Sequence, residues 1–516
     1  MKTIFTKYRI ILAVNAILIA YVLINGNLLF QDIIFLFLVF LIPGLIFSNL
    51  EYLFKRNNNY FQFLKDKLFP SFFILIFIFG LAIYSTTTRY IRKDKAVEDI
   101  EFMKQSLENI HPDIYHEISR DSFLVQYNQI INNLPIEISE TDFYKTCARL
   151  TSFFGNGHTR PTENVLGKRM QFLFKRIFPY KVEILDNKLF VSSNLLLFNR
   201  IPKGAEIIEI NGRKVNQLIT EWSRLVSYES DAYRDYLITK PINIGIWNDF
   251  KSYQIKYIDP VSNRPKQINS IGGVLSNMYS FLSERKQKPP KLFFRQISPD
   301  IAYIGFFDCH DLKNYEKFFQ SVFSKMKSTQ TGHLIIDIRG NGGGHTRIGA
   351  ELMQYIFHQP FREADSIRVK VSRELIATGK VDEQLKPDQK VVGQTYTLIS
   401  EPYPLRENPI RFTGKTWLLT DHATFSAAQV FASSYKCYGN GTIIGEETGG
   451  VTVSFGDVHF FTLPNTGLTL MTSWKEAFSA CGKDDKHGVL PDYSIKSNKA
   501  LEFTIDLIYN RVKIDR

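Results

Sequence analysis

Cysteine is scarce: four residues in 516, at Cys147, Cys309, Cys437 and Cys481, with no C-x-x-C spacing. That excludes a disulfide-stapled miniature fold and a thiolate zinc ribbon. The ten histidines are dispersed and form no H-E-x-x-H pair, so no catalytic metal or other cofactor is expected. The glycine run GNGGGHTR (residues 340–347) lacks the G-K-[ST] ending of a phosphate-binding loop. No internal repeat or low-complexity tract occurs, which excludes repeat architectures.

Charge is lopsided without implying nucleic acid. Residues 1–95 hold 11 Lys or Arg against 4 Asp or Glu, which gives +7 of the total +12 and leaves +5 for the rest. Much of the basicity flanks apolar runs, so no nucleic-acid partner is expected. Those runs are residues 10–24, apolar except Asn15; 33–47, interrupted by Pro43 and Gly44; and 69–84. Each approaches the ~20 residues of a membrane span, and flanking residues can complete it. No small-x-small cleavage site follows the first run, which reads as a retained anchor and not a signal peptide. Lys2, Lys7 and Arg9 precede the first span, and Lys55, Arg56, Lys65 and Lys67 lie between the second and third. The positive-inside rule therefore puts the N-terminus in the cytoplasm and the large domain outside, although Arg89, Arg92, Lys93 and Lys95 oppose that orientation. Outside the cytoplasm Cys437 and Cys481, the cysteines nearest the site described below, could form a bridge.

After the membrane module the pattern turns helical. Val97, Ile100, Met103, Leu107 and Ile110 recur at helical spacing, so residues 96–110 form an amphipathic helix that stops before His111-Pro112. Residues 123–134 and 140–153 are further helices, and Gly155-Asn156-Gly157 halts the last of them to present His158 on a loop. Short strands follow at 180–184, 188–191 and 206–210, then the turn Asn211-Gly212, a helix over 215–226 and a strand over 254–258. This segment is either a PDZ-like module or an ordinary β-insert.

Two later stretches carry the chemistry. Residues 334–338 (LIIDI) are a buried strand that opens into Gly342-Gly343-Gly344, where the backbone can approach a ligand and converge donors on a negative charge. Residues 417–420 are another buried strand, joined by a short connection to a helix that begins at Ser426. A helix-opening serine is commonly only a cap. Here its hydroxyl and the Ala427 amide meet the positive end of the helix and a glycine-rich loop, which is the layout of an acyl-transfer site.

DIRGNGGG (337–344), TFSAAQVFASS (424–434), IIGEETGG (443–450), HGVLPD (487–492) and the upstream FFGNGHTRPT (153–162) occur in the order seen in the tail-specific, or C-terminal processing, serine peptidases. The sequence resembles that family, and its tricorn-like branch in particular, from about residue 96 to the C-terminus. The resemblance implies an α/β, crotonase-like catalytic domain (ClpP/crotonase type) over 287–516. It is preceded by a three-helix membrane anchor (1–95), a helical lead-in (96–175) and the β-rich, PDZ-like or plain segment (176–286).

A serine hydroxyl needs a base. Relatives that use a lysine carry it just after the G-E-x-T loop; here that position is Val451, and no lysine lies between Cys437 and Lys475. The tricorn-like branch implies a histidine instead, and His158 matches its motif, with His345, His422 and His487 as rivals. That branch places a glutamate three residues before the G-V-x-P-D turn, where this chain has Asp485, with Asp484 a close rival. The serine that can precede the histidine is Gly157 here. Ser426 is then the nucleophile, His158 the general acid and base, and Asp485 the orienter, while the amides of Gly342 or Gly343 and of Ala427 form the oxyanion hole. Asp337 and Arg339 brace the loop, unless Arg339 receives a substrate carboxylate. The expectation is a multi-pass membrane serine endopeptidase that cleaves extracytoplasmic peptides or proteins. The alternatives are a catalytically inactive binding relative and an esterase or amidase.

Overall fold

The computed structural model describes residues 90–511 apart from 163–177, 196–199, 241–242, 245–246, 248–251, 272–289, 311–314, 382–383 and 483–485. They belong to one compact unit. The three apolar runs expected to span a membrane lie outside the described residues, and among those described no helix is long and apolar enough to cross one.

β1 (Tyr90–Arg92) leads into α1 (Lys93–Ile110), followed by α2 (Arg120–Asn132), β2 (Glu137–Ser139) and α3 (Glu140–Ser152). α1 buries Ile100, Met103, Leu107 and Ile110 of the expected stripe, while Val97 is half-buried and Ala96 is buried beside it. Asp99 on the same face is fully buried, and its carboxylate accepts the amides of Asn465 and Thr466 at 2.9 Å each, which ties this helix to a distant hairpin. α2 and α3 are capped by Ser119 and Ser139, whose side chains accept the Ser122 and Asp142 amides.

Beyond the His158 loop come β3 (Arg160–Pro161), β4 (Tyr180–Leu185), β5 (Lys188–Asn194), β6 (Glu206–Ile210), β7 (Arg213–Lys214), α4 (Val215–Ser223), α5 (Asp231–Ile238), β8 (Ser252–Ile258) and β9 (Pro265–Ile271). β4, β5, β6, β8 and β9 form an antiparallel sheet in that order, with β7 paired to β6. The predicted Asn211-Gly212 turn joins β6 to β7 with φ of 50° and 76°, the left-handed pair that a two-residue hairpin demands.

The remaining chain builds two sheets from β10 (Leu292–Ser298), β11 (Ile301–Phe306), α6 (Tyr315–Ser328), β12 (His333–Asp337), α7 (Thr346–Ile356), β13 (Ala364–Lys370), α8 (Arg373–Ala377), β14 (Thr395–Ile399), β15 (Lys415–Thr420), α9 (Ala427–Cys437), β16 (Thr442–Gly445), β17 (Ser454–Thr462), β18 (Thr469–Ser479), β19 (Tyr493–Ser494) and α10 (Ser497–Ile508). One sheet runs β10-β11-β12-β15-β16-β19, parallel throughout except at β10. Alternate residues of its strands are buried on opposite faces. Leu334, Ile336 and Leu418 meet Phe323, Leu352 and Phe431 from α6, α7 and α9, while Ile335, Leu419 and Ile444 meet Ala500 of α10. Burial on both faces explains why these strands read as continuous apolar runs.

The second sheet, β14-β13-β18-β17, is antiparallel, and β3 adds to β18 with Arg160 opposite Met471 and Pro161 opposite Leu470. This pairing carries the end of the helical lead-in onto the parallel-sheet domain. Cys437, at the end of α9, and Cys481, just past β18, form a disulfide with Cα atoms 5.7 Å apart, while Cys147 and Cys309 are free and buried. Closing a loop of 44 residues in the unfolded chain should stabilise the fold by roughly 2–4 kcal/mol. Cys481→Ser is therefore expected to lower the unfolding free energy measured by denaturant titration by that amount, and an unchanged value would show that the bridge contributes nothing.

Candidate active site

Ser426 stands between β15 and α9 with φ 55° and ψ −128°, a conformation that a non-glycine residue holds only where its surroundings enforce it. The enforcement is visible in the loop before it. Asp421 Oδ1 accepts the amides of Gly340 at 2.9 Å and Ala423 at 3.1 Å, and the Phe425 amide donates to the Asn341 carbonyl at 3.0 Å. The side chain of Ser426 does not cap α9. Its Oγ lies 3.1 Å from His158 Nε2 instead.

His158 reaches that point through local and distant restraints. Its amide donates to Asn156 Oδ1 at 2.8 Å, and the Thr159 hydroxyl pairs with Thr472 of β18 at 3.1 Å. The Asn156 amide donates to Ser227 Oγ at 3.1 Å, which fastens the loop to the β-rich segment. The imidazole stacks on Phe425 with centroids 4.7 Å apart, and Phe425 stacks on Tyr233 of α5 at 4.1 Å. A Cβ on Gly157 would lie 2.7 Å from Phe425 Cζ and 3.1 Å from Tyr233 Cε1. The serine that precedes the histidine in the tricorn-like pattern therefore has no room here.

On the far side of the ring, Glu229 Oε1 is 3.9 Å from His158 Nδ1. This residue immediately precedes the cap of α5, where Ser230 accepts the Tyr233 amide and donates to the Gly449 carbonyl at 2.8 Å. Glu229 Oε1 also accepts the Gly157 amide at 3.3 Å. Burial, reinforced by Arg160, pushes His158 down to about 4, while Asp457 and the backbone of Phe455 oppose the shift. Burial pushes Glu229 up to about 8 against the amides of Val451 and Gly157. Sequence reasoning missed Glu229: it stands in no motif, and only folding brings it to the ring.

The glycine loop is sharply placed. Gly343 has φ 96°, and a Cβ on it would be 2.6 Å from Ser426 Cβ and 2.9 Å from the Ala427 nitrogen. Its own amide donates to Asn341 Oδ1 at 2.9 Å, so it faces into its loop. Gly342 is exposed beside it, and among the described residues neither its amide nor that of Ala427 meets an acceptor. Asp337 is fully buried and grips Arg339 through two hydrogen bonds, Nε to Oδ1 at 2.9 Å and Nη2 to Oδ2 at 2.5 Å, while Nη1 donates to the Ser497 carbonyl. Arg339 thus braces the loop, with all three of its nitrogens engaged.

None of the rival histidines makes a described contact with Ser426. His422 Nδ1 is 3.0 Å from the Glu447 carbonyl, His487 is exposed with Nδ1 3.8 Å from Glu447 Oε1, and His345 is exposed at the head of α7. Asp485 and Asp484 lie outside the described residues. Val451, where the lysine-using relatives carry their base, pairs with Gly488 in an isolated bridge. Among the described residues no three His, Cys, Asp or Glu side chains gather as a metal-ligand set.

With this geometry in hand, residues 300–495 match peptidase family S41. That part of the chain is similar to S41 serine-type peptidases. The chain is similar in fold to mature CPAF, with a TM-score of 0.57 at 15% identity over 82% of this chain and 99% of the other. Mature CPAF complexed with lactacystin gives 0.56 at 14% identity over 81% and 99%. The photosystem II D1 C-terminal processing protease gives 0.42 at 14% identity over 78% and 93%. The likeness to mature CPAF agrees with the mixed α/β fold described above, with its crotonase-like core and β-rich segments. Gly157→Ser should cost roughly 1–3 kcal/mol through overpacking and widen the Ser426–His158 separation. Thermal denaturation and a crystal structure of the variant would check both, and a neutral substitution would show that the aromatic stack yields.

Proposed function

We propose that the protein is a membrane-anchored serine endopeptidase that cleaves extracytoplasmic proteins or peptides through an acyl-enzyme on Ser426, with His158 as general acid and base. The observation that carries this reading is the 3.1 Å contact between His158 Nε2 and Ser426 Oγ, across a separation of 268 residues. Burial keeps the imidazole neutral at physiological pH, the form that can accept a proton. As Ser426 Oγ attacks the scissile carbonyl carbon, Nε2 takes the hydroxyl proton. The resulting oxyanion is received by the amides of Gly342 and Ala427, where each donor is worth on the order of 100- to 1000-fold in rate.

Collapse of the tetrahedral intermediate breaks the C–N bond, and the imidazolium protonates the departing amine. Water, activated by the same imidazole, then hydrolyses the serine ester and restores the hydroxyl. The absence of a lysine at Val451, together with the placement of His158, favours the tricorn-like use of histidine over a serine-lysine dyad.

Two further observations support an extracytoplasmic site. The Cys437–Cys481 disulfide suits an oxidising compartment, and the apolar runs of the first 95 residues have the length and flanking charge of spans.

Ser426→Ala and His158→Ala should each lower kcat for hydrolysis of an unfolded protein such as reduced casein by on the order of a millionfold, with the melting temperature preserved. Casein hydrolysis by the Ser426→Ala protein at the wild-type rate would remove Ser426 from the mechanism. A wild-type protein that hydrolyses simple esters and leaves casein intact would replace the peptidase reading by the esterase one.

A further inference from the structure

His158 Nδ1 and Glu229 Oε2 are both buried, and neither meets a partner in hydrogen-bond geometry among the described residues, although the Phe455 and Val451 backbones lie near enough to favour charge on the ring and the carboxylate. An orphaned ring nitrogen and an orphaned carboxylate oxygen on adjacent buried side chains are costly to leave unpaired. Nδ1 stands 3.9 Å from the other carboxylate oxygen, a long contact of the kind that tightens when a site binds its substrate. Glu229 is also aimed. Its Oε1 takes the amide of Gly157, the residue before the histidine, and the Ser230 hydroxyl that follows is bonded to the Gly449 carbonyl of the S41 domain.

We propose that Glu229 is the positioning residue of this site: its carboxylate accepts Nδ1–H of His158, fixes the tautomer that leaves Nε2 free for the Ser426 proton, and stabilises the imidazolium as it forms. The assignment rests on the reading of Ser426 and His158 as nucleophile and base. It gives the β-rich segment a share in the active site, because that segment supplies Glu229 together with the Tyr233 ring of the stack. It assigns to Glu229 the task that the family resemblance suggests for Asp485.

The charge state gives the proposal a signature. The groups that act on the ring are Arg160, which disfavours its charge, and Asp457 with the Phe455 backbone, which favour it; on Glu229 the amides of Val451 and Gly157 favour the ionised form. Since burial holds Glu229 near 8, the ionised partner is scarce at neutral pH and becomes populated as pH rises. Activity that needs it must climb toward about pH 8 and then level.

The test uses the full-length protein in detergent with reduced casein as substrate. Glu229→Gln keeps the side chain's size and an acceptor for the Gly157 amide but cannot ionise. It is expected to lower kcat by roughly 10²–10⁴-fold with little change in KM, to abolish the rise toward pH 8, and to leave the melting temperature unchanged. Asp485→Asn should stay near wild-type. Full activity in Glu229→Gln while His158→Ala is inactive would overturn the role of Glu229 and leave the serine-histidine reading intact, with the Phe455 backbone as the partner of Nδ1. Loss confined to Asp485→Asn would return the role to Asp485. Wild-type activity in His158→Ala would remove the underlying reading as well. Should Glu229→Gln fail to fold, the wild-type profile decides alone: a kcat that is flat from pH 6 to 9 contradicts the proposal.

Discussion

The hydrogen bond between His158 and Ser426 is the contact on which the rest of this architecture converges. Neither residue can make it alone, since one ends a helical lead-in and the other opens a helix in a parallel-sheet domain. Three restraints bring them together: the addition of β3 to β18, the grip of Ser227 on the Asn156 amide, and the stack of the imidazole on Phe425 and Tyr233. Each comes from a different stretch of chain. A site assembled in this way is sensitive to the docking of its parts, and substitutions well away from Ser426 can disable it by loosening one restraint.

Water exclusion sets the chemistry. The ring of His158 and the carboxyl of Glu229 sit where burial disfavours charge on both, so the resting pair is driven towards neutrality in the absence of compensation. The same low-dielectric setting strengthens any charge pair that forms during the reaction. The backbone of Ser426 and the loop of Gly343 are held close enough that a methyl group on the glycine would collide with the serine, so the proposed donors and nucleophile are fixed relative to one another. The cost is carried in the strained φ of Ser426, offset by the hydrogen bonds of Asp421 and Asn341 beneath it.

What sequence reveals here follows the range of the interaction. The strand at His333–Asp337, the turn at Asn211-Gly212 and the helix after Ser426 were legible because apolar periodicity and glycine placement are local signals. The placement of His158 beside Ser426 was suggested by its motif, not by any periodicity. Glu229 was not, because a carboxylate in an unremarkable Tyr-Glu-Ser-Asp stretch acquires meaning only when α5 packs against Phe425. The amide of Gly343 was expected to be as available as that of Gly342, since residue type does not report which way an amide points; the side chain of Asn341 decides it. The bounds of the expected helices shifted by a few residues, as with the lead-in helix that starts at Lys93, because end residues are fixed by caps and tertiary contacts more than by pattern.

The most direct test of the central claim is covalent. Full-length protein treated with a fluorophosphonate probe and mapped by tandem mass spectrometry should carry one adduct, on Ser426, and the His158→Ala protein should react at least a hundredfold more slowly because its hydroxyl has lost its base. An unmodified Ser426, or equal reaction rates in the two proteins, would contradict the account.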